Sequence, residues 1–126
     1  MTPHFHVDSD RLACQCGCGM LPEQDFMDKV EILRVRCGFP LPVTSAARCP
    51  EYNAKVSATG RSGPHVEGRA MDIAISGSRA LELVRMALAS GFTGLGVNQK
   101  GSARFIHLDD LPNKDGQPRP HIWSYP

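Results

Sequence analysis

Apolar positions change period several times along the chain, and each change marks an element. From Pro22 to Cys37, the residues Phe26, Met27, Val30, Leu33 and Val35 fall mostly on one helical stripe, with acidic residues in the first turn and Gly38 placed as a stop. Leu41 to Ser45, hemmed by Pro40 and Pro42, predicts a short strand that delivers Ala46-Ala47-Arg48 to a loop, and Pro50 to Val56 predicts a brief helix. Between Ser57 and Pro64 the pattern gives way to Ser, Gly and Thr, the composition of a mobile surface loop. Met71 to Ile75 is a compact apolar strand interrupted only by Asp72. Ser78 is then placed to cap a helix reaching Ser90, with Leu81, Val84 and Leu88 inward and Gly91 as its stop. Phe92 to Asn98 and Arg104 to Asp109 predict two strands joined through Gln99-Lys100-Gly101-Ser102 as a hairpin.

After Asp110, prolines, Asn, Asp and Gly predict an irregular arm over residues 111–126. His121, Trp123 and Tyr125 place large side chains two apart near its end, which fits an arm folded over a pocket as well as a frayed tail. Helices combined with an antiparallel sheet define an α+β fold, a small sheet with flanking helices. The 126 residues fit one domain, 1–126, able to bury a core without metal or disulfides, with a Cys-rich opening over residues 1–21.

Charge then narrows the partners. Fourteen Lys and Arg stand against thirteen Asp and Glu, a formal net charge of +1, and no basic block provides the footprint of a nucleic-acid binder. No apolar run approaches the roughly 18–20 residues that span a bilayer, so no membrane insertion is expected. Met1 to Asp10 lacks a basic segment followed by an apolar one, which predicts a chain that starts in the cytoplasm and leaves it only by release. Its five cysteines are accordingly expected to stay mostly reduced. Cys14, Cys16 and Cys18 could hold a structural zinc if a fourth ligand came from elsewhere, but a Gly-rich turn with partly buried thiols is the simpler expectation. A disulfide between Cys37 and Cys49 is conceivable, with buried free thiols preferred.

The candidate chemistry starts at Asp72. A carboxylate inside an apolar strand loses hydration and needs compensation, either from a cation or from a salt bridge to Arg69 or Arg48. His65 precedes it by seven positions, and His107 lies in a second strand, where alternation sets Phe105, His107 and Asp109 on one face and Arg104, Ile106 and Leu108 on the other. If those strands pair, two imidazoles and one carboxylate converge as ligands for Zn2+, leaving a fourth position for water or a substrate carbonyl. Asp109 is favoured as the base of a peptide-bond hydrolase, with Glu67, Asp110 and His121 as the other titratable groups; its rival role is to orient His107. Arg48, at a strand-to-loop junction, is placed to clamp a substrate carboxylate.

These segments resemble the zinc D-Ala-D-Ala carboxypeptidase family, within the superfamily that includes lysostaphin-like peptidases and the hedgehog signalling domain. His65-Val66-Glu67-Gly68-Arg69-Ala70-Met71-Asp72 is similar to the family's His-x-x-Gly-x-Ala-x-Asp, and Phe105-Ile106-His107-Leu108-Asp109 to its Phe-Val-His-x-Asp. By resemblance, His65, Asp72 and His107 are zinc ligands. Thr44-Ser45-Ala46-Ala47-Arg48-Cys49-Pro50-Glu51-Tyr52-Asn53 resembles Ser-Gly-Tyr-Arg-Ser-x-x-Tyr-Asn, whose arginine engages substrate, a role that passes to Arg48. The likeness implies a hedgehog/D-Ala-D-Ala peptidase-like fold and is nearest to small phage-encoded cell-wall peptidases. It implies a monomer acting on peptidoglycan stem peptides next to a D-amino acid, as carboxypeptidase or endopeptidase, held in the cytoplasm until release to the wall. Ser62, His121 and Trp123 join Arg48 as expected substrate-binding residues.

Three positions depart from the family. Gly63 replaces a serine two residues before the first ligand, Ala47 replaces an aromatic before the arginine, and Arg104 occupies the place of an acidic base three residues before the last histidine. The Arg104 departure supports an alternative from another class, a zinc-containing binding or virion structural module without hydrolysis.

Overall fold

The computed structural model describes residues Met1–Pro126, which form three helices and a five-stranded sheet. In chain order these are α1 (Gln24–Cys37), β1 (Val43–Ser45), α2 (Pro50–Val56), β2 (Ala70–Ala74), α3 (Gly77–Ala89), β3 (Gly94–Asn98), β4 (Phe105–Asp109) and β5 (His121–Ser124). The sheet order is β1-β2-β4-β3-β5, antiparallel throughout except for the parallel β3–β5 edge. This is the expected α+β fold. Within the arm expected to be irregular, four residues form β5, because Gly94 to Val97 offer an otherwise unpaired strand edge to His121 through Ser124.

Strand alternation divides the sheet into two chemically distinct faces. Met71, Ile73, Ile106, Leu108 and Leu95 turn toward a core shared with Phe26, Met27, Val30 and Leu33 of α1 and Ala80, Leu83 and Ala87 of α3. The opposite face carries Asp72 and His107, which are directly paired across β2 and β4. α1 and α3 thus fill one side of the sheet and leave the other to the polar residues.

The inward stripes differ from those the apolar pattern predicts. Val35 is 62% exposed, and in α3 Leu81 and Leu88 are 72% and 57% exposed while Ala80, Leu83 and Ala87 are buried, with Val84 packed at the margin of the core. Both α3 stripes have helical spacing. Ala80 and Ala87 lie on the inner one together with Leu83, while Leu81 and Leu88 turn to solvent. The N-cap of α3 is Ser76 rather than Ser78. In α1 the stop is as expected: Gly38 adopts φ 73° and its N–H donates to the Arg34 carbonyl.

Candidate functional site

Each site residue is fixed by its element before it contributes a side chain. β2 and β4 place Asp72 opposite His107, while His65 sits on a turn whose Gly68 N–H donates back to the His65 carbonyl at 3.2 Å. His65 Nδ1 lies 2.6 Å from the Ala46 carbonyl oxygen. A carbonyl can only accept, so Nδ1 carries the hydrogen and Nε2 presents its lone pair, 3.3 Å from Asp72 Oδ1. His107 is oriented in the reverse sense: Nε2 donates to Asp109 Oδ2 at 2.8 Å, leaving the Nδ1 lone pair 3.1 Å from the same Asp72 oxygen.

Three acceptor atoms therefore face one another in a buried setting, an arrangement that repels unless a cation or a proton lies among them. Burial works against the charge of Asp72, yet a proton on the facing nitrogens of His107 and His65 outweighs it and holds the carboxyl well below the ordinary carboxylate range. Burial likewise opposes protonation of His107, but Asp109 and Asp72 on either side raise its pKa. The site draws positive charge, and its two nitrogens and one oxygen suit Zn2+.

Arg48 completes the near wall. Its Nε donates to Ser45 Oγ at 3.1 Å and its Nη1 to Asn53 Oδ1 at 3.2 Å, while Nη2 lies 3.5 Å from Asp72 Oδ2. Of the two arginines considered for Asp72, Arg48 is the partner; Arg69 binds Asp25 and Asp110 instead. Asn53 was missed by sequence reasoning although it is almost fully buried. Its Nδ2 holds Thr59 Oγ1 and the Gly60 and Ser62 carbonyls, so one amide secures both the arginine and the 57–64 loop. A polar side chain three residues into a short helix, ahead of a Ser/Gly-rich loop, was the available signal.

These groups line a cavity of about 410 Å³ bordered by Ser57, Ala58, Thr59, Phe105, Trp123 and Tyr125. The aromatic end of the chain does fold over the pocket. A second cavity of about 620 Å³ shares Thr59, Pro64 and Trp123 with the first and adds Ser62, Glu67, Arg119 and His121. Ser62 and His121 thus border the second space only, whereas Trp123 borders both.

Asp109 lines neither cavity. It is fully buried behind His107, accepting from His107 Nε2, from Arg119 Nε at 2.9 Å and Nη2 at 2.8 Å, and from the Leu111 N–H. Burial pushes its pKa up, but His107 and Arg119 together bring it below the usual value. Asp110, another titratable candidate, is occupied by Arg69 and Lys29. The structure also shows why β3 is rich in glycine: a Cβ on Gly94 would lie 2.2 Å from the Asp109 carboxylate, and one on Gly96 would lie 2.6 Å from the Tyr125 hydroxyl and 2.7 Å from Trp123 Nε1.

A family model described as Peptidase M15 matches residues 4–109, a span that holds His65, Asp72 and His107. The chain belongs to the peptidase M15 family. Membership implies a metallopeptidase of the zinc D-Ala-D-Ala carboxypeptidase type and suggests a peptidoglycan-related substrate. No curated protein and no solved structure gives a significant match. For an M15 peptidase, the arrangement around Asp72 provides a candidate metal-binding group. No helix is long and apolar enough to cross a membrane.

Proposed function

We propose that the chain is a zinc-dependent peptidase that hydrolyses peptidoglycan stem peptides next to a D-amino acid, as a D-Ala-D-Ala carboxypeptidase or an endolysin-like endopeptidase. The observation that carries this reading is the convergence of His65 Nε2, Asp72 Oδ1 and His107 Nδ1 at the wall of a cavity that also contains Arg48. When bound there, zinc supplies Lewis acidity toward a peptide carbonyl and toward water.

The chain's own residues supply binding and orientation. Arg48 is held by Ser45, Asn53 and Asp72 and pairs with a carboxylate of the stem peptide, terminal or side-chain. Phe105, Trp123 and Tyr125 form an aromatic wall that limits water. Ser62, His121 and Trp123 receive the peptide where it continues into the second cavity. Asp109 acts as a positioning residue for His107, the rival to its expected role as base. Glu67 and His121, at the second cavity, are the groups available to move a proton there. The protein acts as a monomer, after release from the cytoplasm to the wall.

A second reading, a zinc-containing binding or virion structural module, is favoured by one observation: Asp72 is the sole carboxylate bordering the first cavity. One assay separates the two. Purified protein is incubated with muropeptides and the products are followed by mass spectrometry, beside His65→Ala and chelator-treated samples. Cleavage by the unmodified protein alone supports the peptidase. Intact muropeptides under zinc-replete conditions support the module.

A further inference from the structure

The opening segment presents a second cluster of ligating atoms, separate from the cavity. The Sγ atoms of Cys14, Cys16, Cys18 and Cys49 all lie within 4.8 Å of one another. Cys14 Sγ is 3.4 Å from Cys16 Sγ, which is 3.6 Å from Cys49 Sγ. Tetrahedral zinc with Zn–S bonds of about 2.3 Å requires neighbouring sulfurs about 3.8 Å apart. The four thiols are therefore nearly in place around one ion.

The backbone is shaped for the same purpose. Gly17 and Gly19 adopt φ of 90° and 87°, a region open to glycine, and the Gly17 N–H donates to the Cys14 carbonyl at 3.2 Å, in a turn along which Cys14, Cys16 and Cys18 bring their sulfurs together. Two backbone donors point at sulfur and fix its direction: the Cys49 N–H to Cys14 Sγ at 3.3 Å and the Tyr52 N–H to Cys49 Sγ at 3.4 Å. No helix or strand occurs before Gln24. The segment is attached through Phe5 and Leu12 in the core and through the Ala47 N–H to the Leu12 carbonyl.

We infer that Cys14, Cys16, Cys18 and Cys49 bind a structural zinc ion that fastens the opening segment to the β1–α2 junction. Four cysteine ligands close the coordination shell, so this ion holds structure and leaves no position for substrate. Soft thiolates select zinc over magnesium or calcium. Binding Zn2+ converts four thiols to four coordinated thiolates and releases their protons to solvent. Cys49 follows Arg48 directly and caps α2, the helix that carries Asn53. The ion thereby braces the junction from which Arg48 reaches Asp72.

The test measures metal and thiols on the full chain purified under reducing conditions. About two zinc ions per chain are expected by elemental analysis, falling to about one in His65→Ala and to about one in Cys16→Ser with Cys18→Ser. Cobalt substitution of the unmodified chain and of His65→Ala is expected to give sulfur-to-cobalt charge-transfer absorption, which the double serine variant lacks. A thiol reagent is expected to reach only Cys37 in the native chain and all five cysteines after denaturation with chelator. Because the unmodified chain gives three of these readouts, a serine variant that does not fold leaves the result intact. No zinc in the unmodified chain, a single zinc that His65→Ala removes, absence of the charge-transfer band, or five reactive thiols in the native state would each overturn the inference. So would fewer than five thiols after denaturation without reductant.

Discussion

Asp109 illustrates how one carboxylate can be read two ways until its neighbours are seen. It shares a strand face with His107, two residues away, so alternation alone puts it beside that candidate ligand and within apparent reach of a substrate. The cross-strand partner decides otherwise: Gly94 gives it room to lie flat against β3, and Arg119 grips it from behind. Its one free relation to the site is the bond to His107 Nε2. Removing the charge in Asp109→Asn should weaken zinc binding by about 10–100-fold, the usual effect of losing a partner that orients a metal-bound imidazole. Competition titration with a chromophoric chelator measures it. If Asp109 instead served as the base, zinc affinity would hold while turnover of muropeptides collapsed. The meeting of His65, Asp72 and His107 was legible in the sequence because a carboxylate in an apolar strand demands compensation. Arg119 and Asn53 were not, since a lone polar residue in a loop or short helix looks the same whether it is solvated or pinned.

At the scale of elements, the strands were easier to read than the helix faces. Alternation in β4 assigns Ile106 and Leu108 to the core and Phe105 and His107 to the site, and the structure agrees. In α3 the leucines misled, because hydrophobicity ranks Leu above Ala while close helix packing favours Ala. The two stripes make opposite predictions for neighbouring positions. Leu83→Ala should cost about 3 kcal/mol by opening a cavity against the sheet. Leu81→Ala should stay within about 0.5 kcal/mol, because its side chain is mostly in water. Urea unfolding of the two variants measures both, and equal losses would mean that the leucine stripe faces inward after all. β5 was hidden for a different reason: its partner edge exists only once β3 has formed, so the two-residue spacing of His121, Trp123 and Tyr125 fits an arm as well as a strand until that edge is in place.

For the molecule as a whole, the sheet must carry an acidic, ligand-rich face without losing its grip on the helical layer. Arg69, just before β2, provides that tie. Its Nη1 and Nη2 reach Asp25 in the first turn of α1 at 2.8 and 3.0 Å, and its Nε and Nη2 reach Asp110 just after β4 at 2.9 and 2.7 Å. Lys29 of α1 adds a bond to Asp110 at 2.8 Å. The Asp25 contact is exposed and contributes little, but the Asp110 side chain is 1% exposed, so its charge depends on the guanidinium. Arg69→Met should therefore cost about 3 kcal/mol, mainly by leaving a buried carboxylate with one flexible partner. Adding Asp110→Leu removes the stranded charge, and the double variant should recover most of that loss, since a buried pair costs more to break than to replace. Neither residue borders either cavity, so zinc affinity at His65, Asp72 and His107 should change by less than tenfold in the double variant. Denaturant unfolding and zinc competition on the same preparations test the two halves together. If the double variant were as unstable as Arg69→Met, the tie would act through shape and packing of the Arg69 stem rather than through the charge it neutralises.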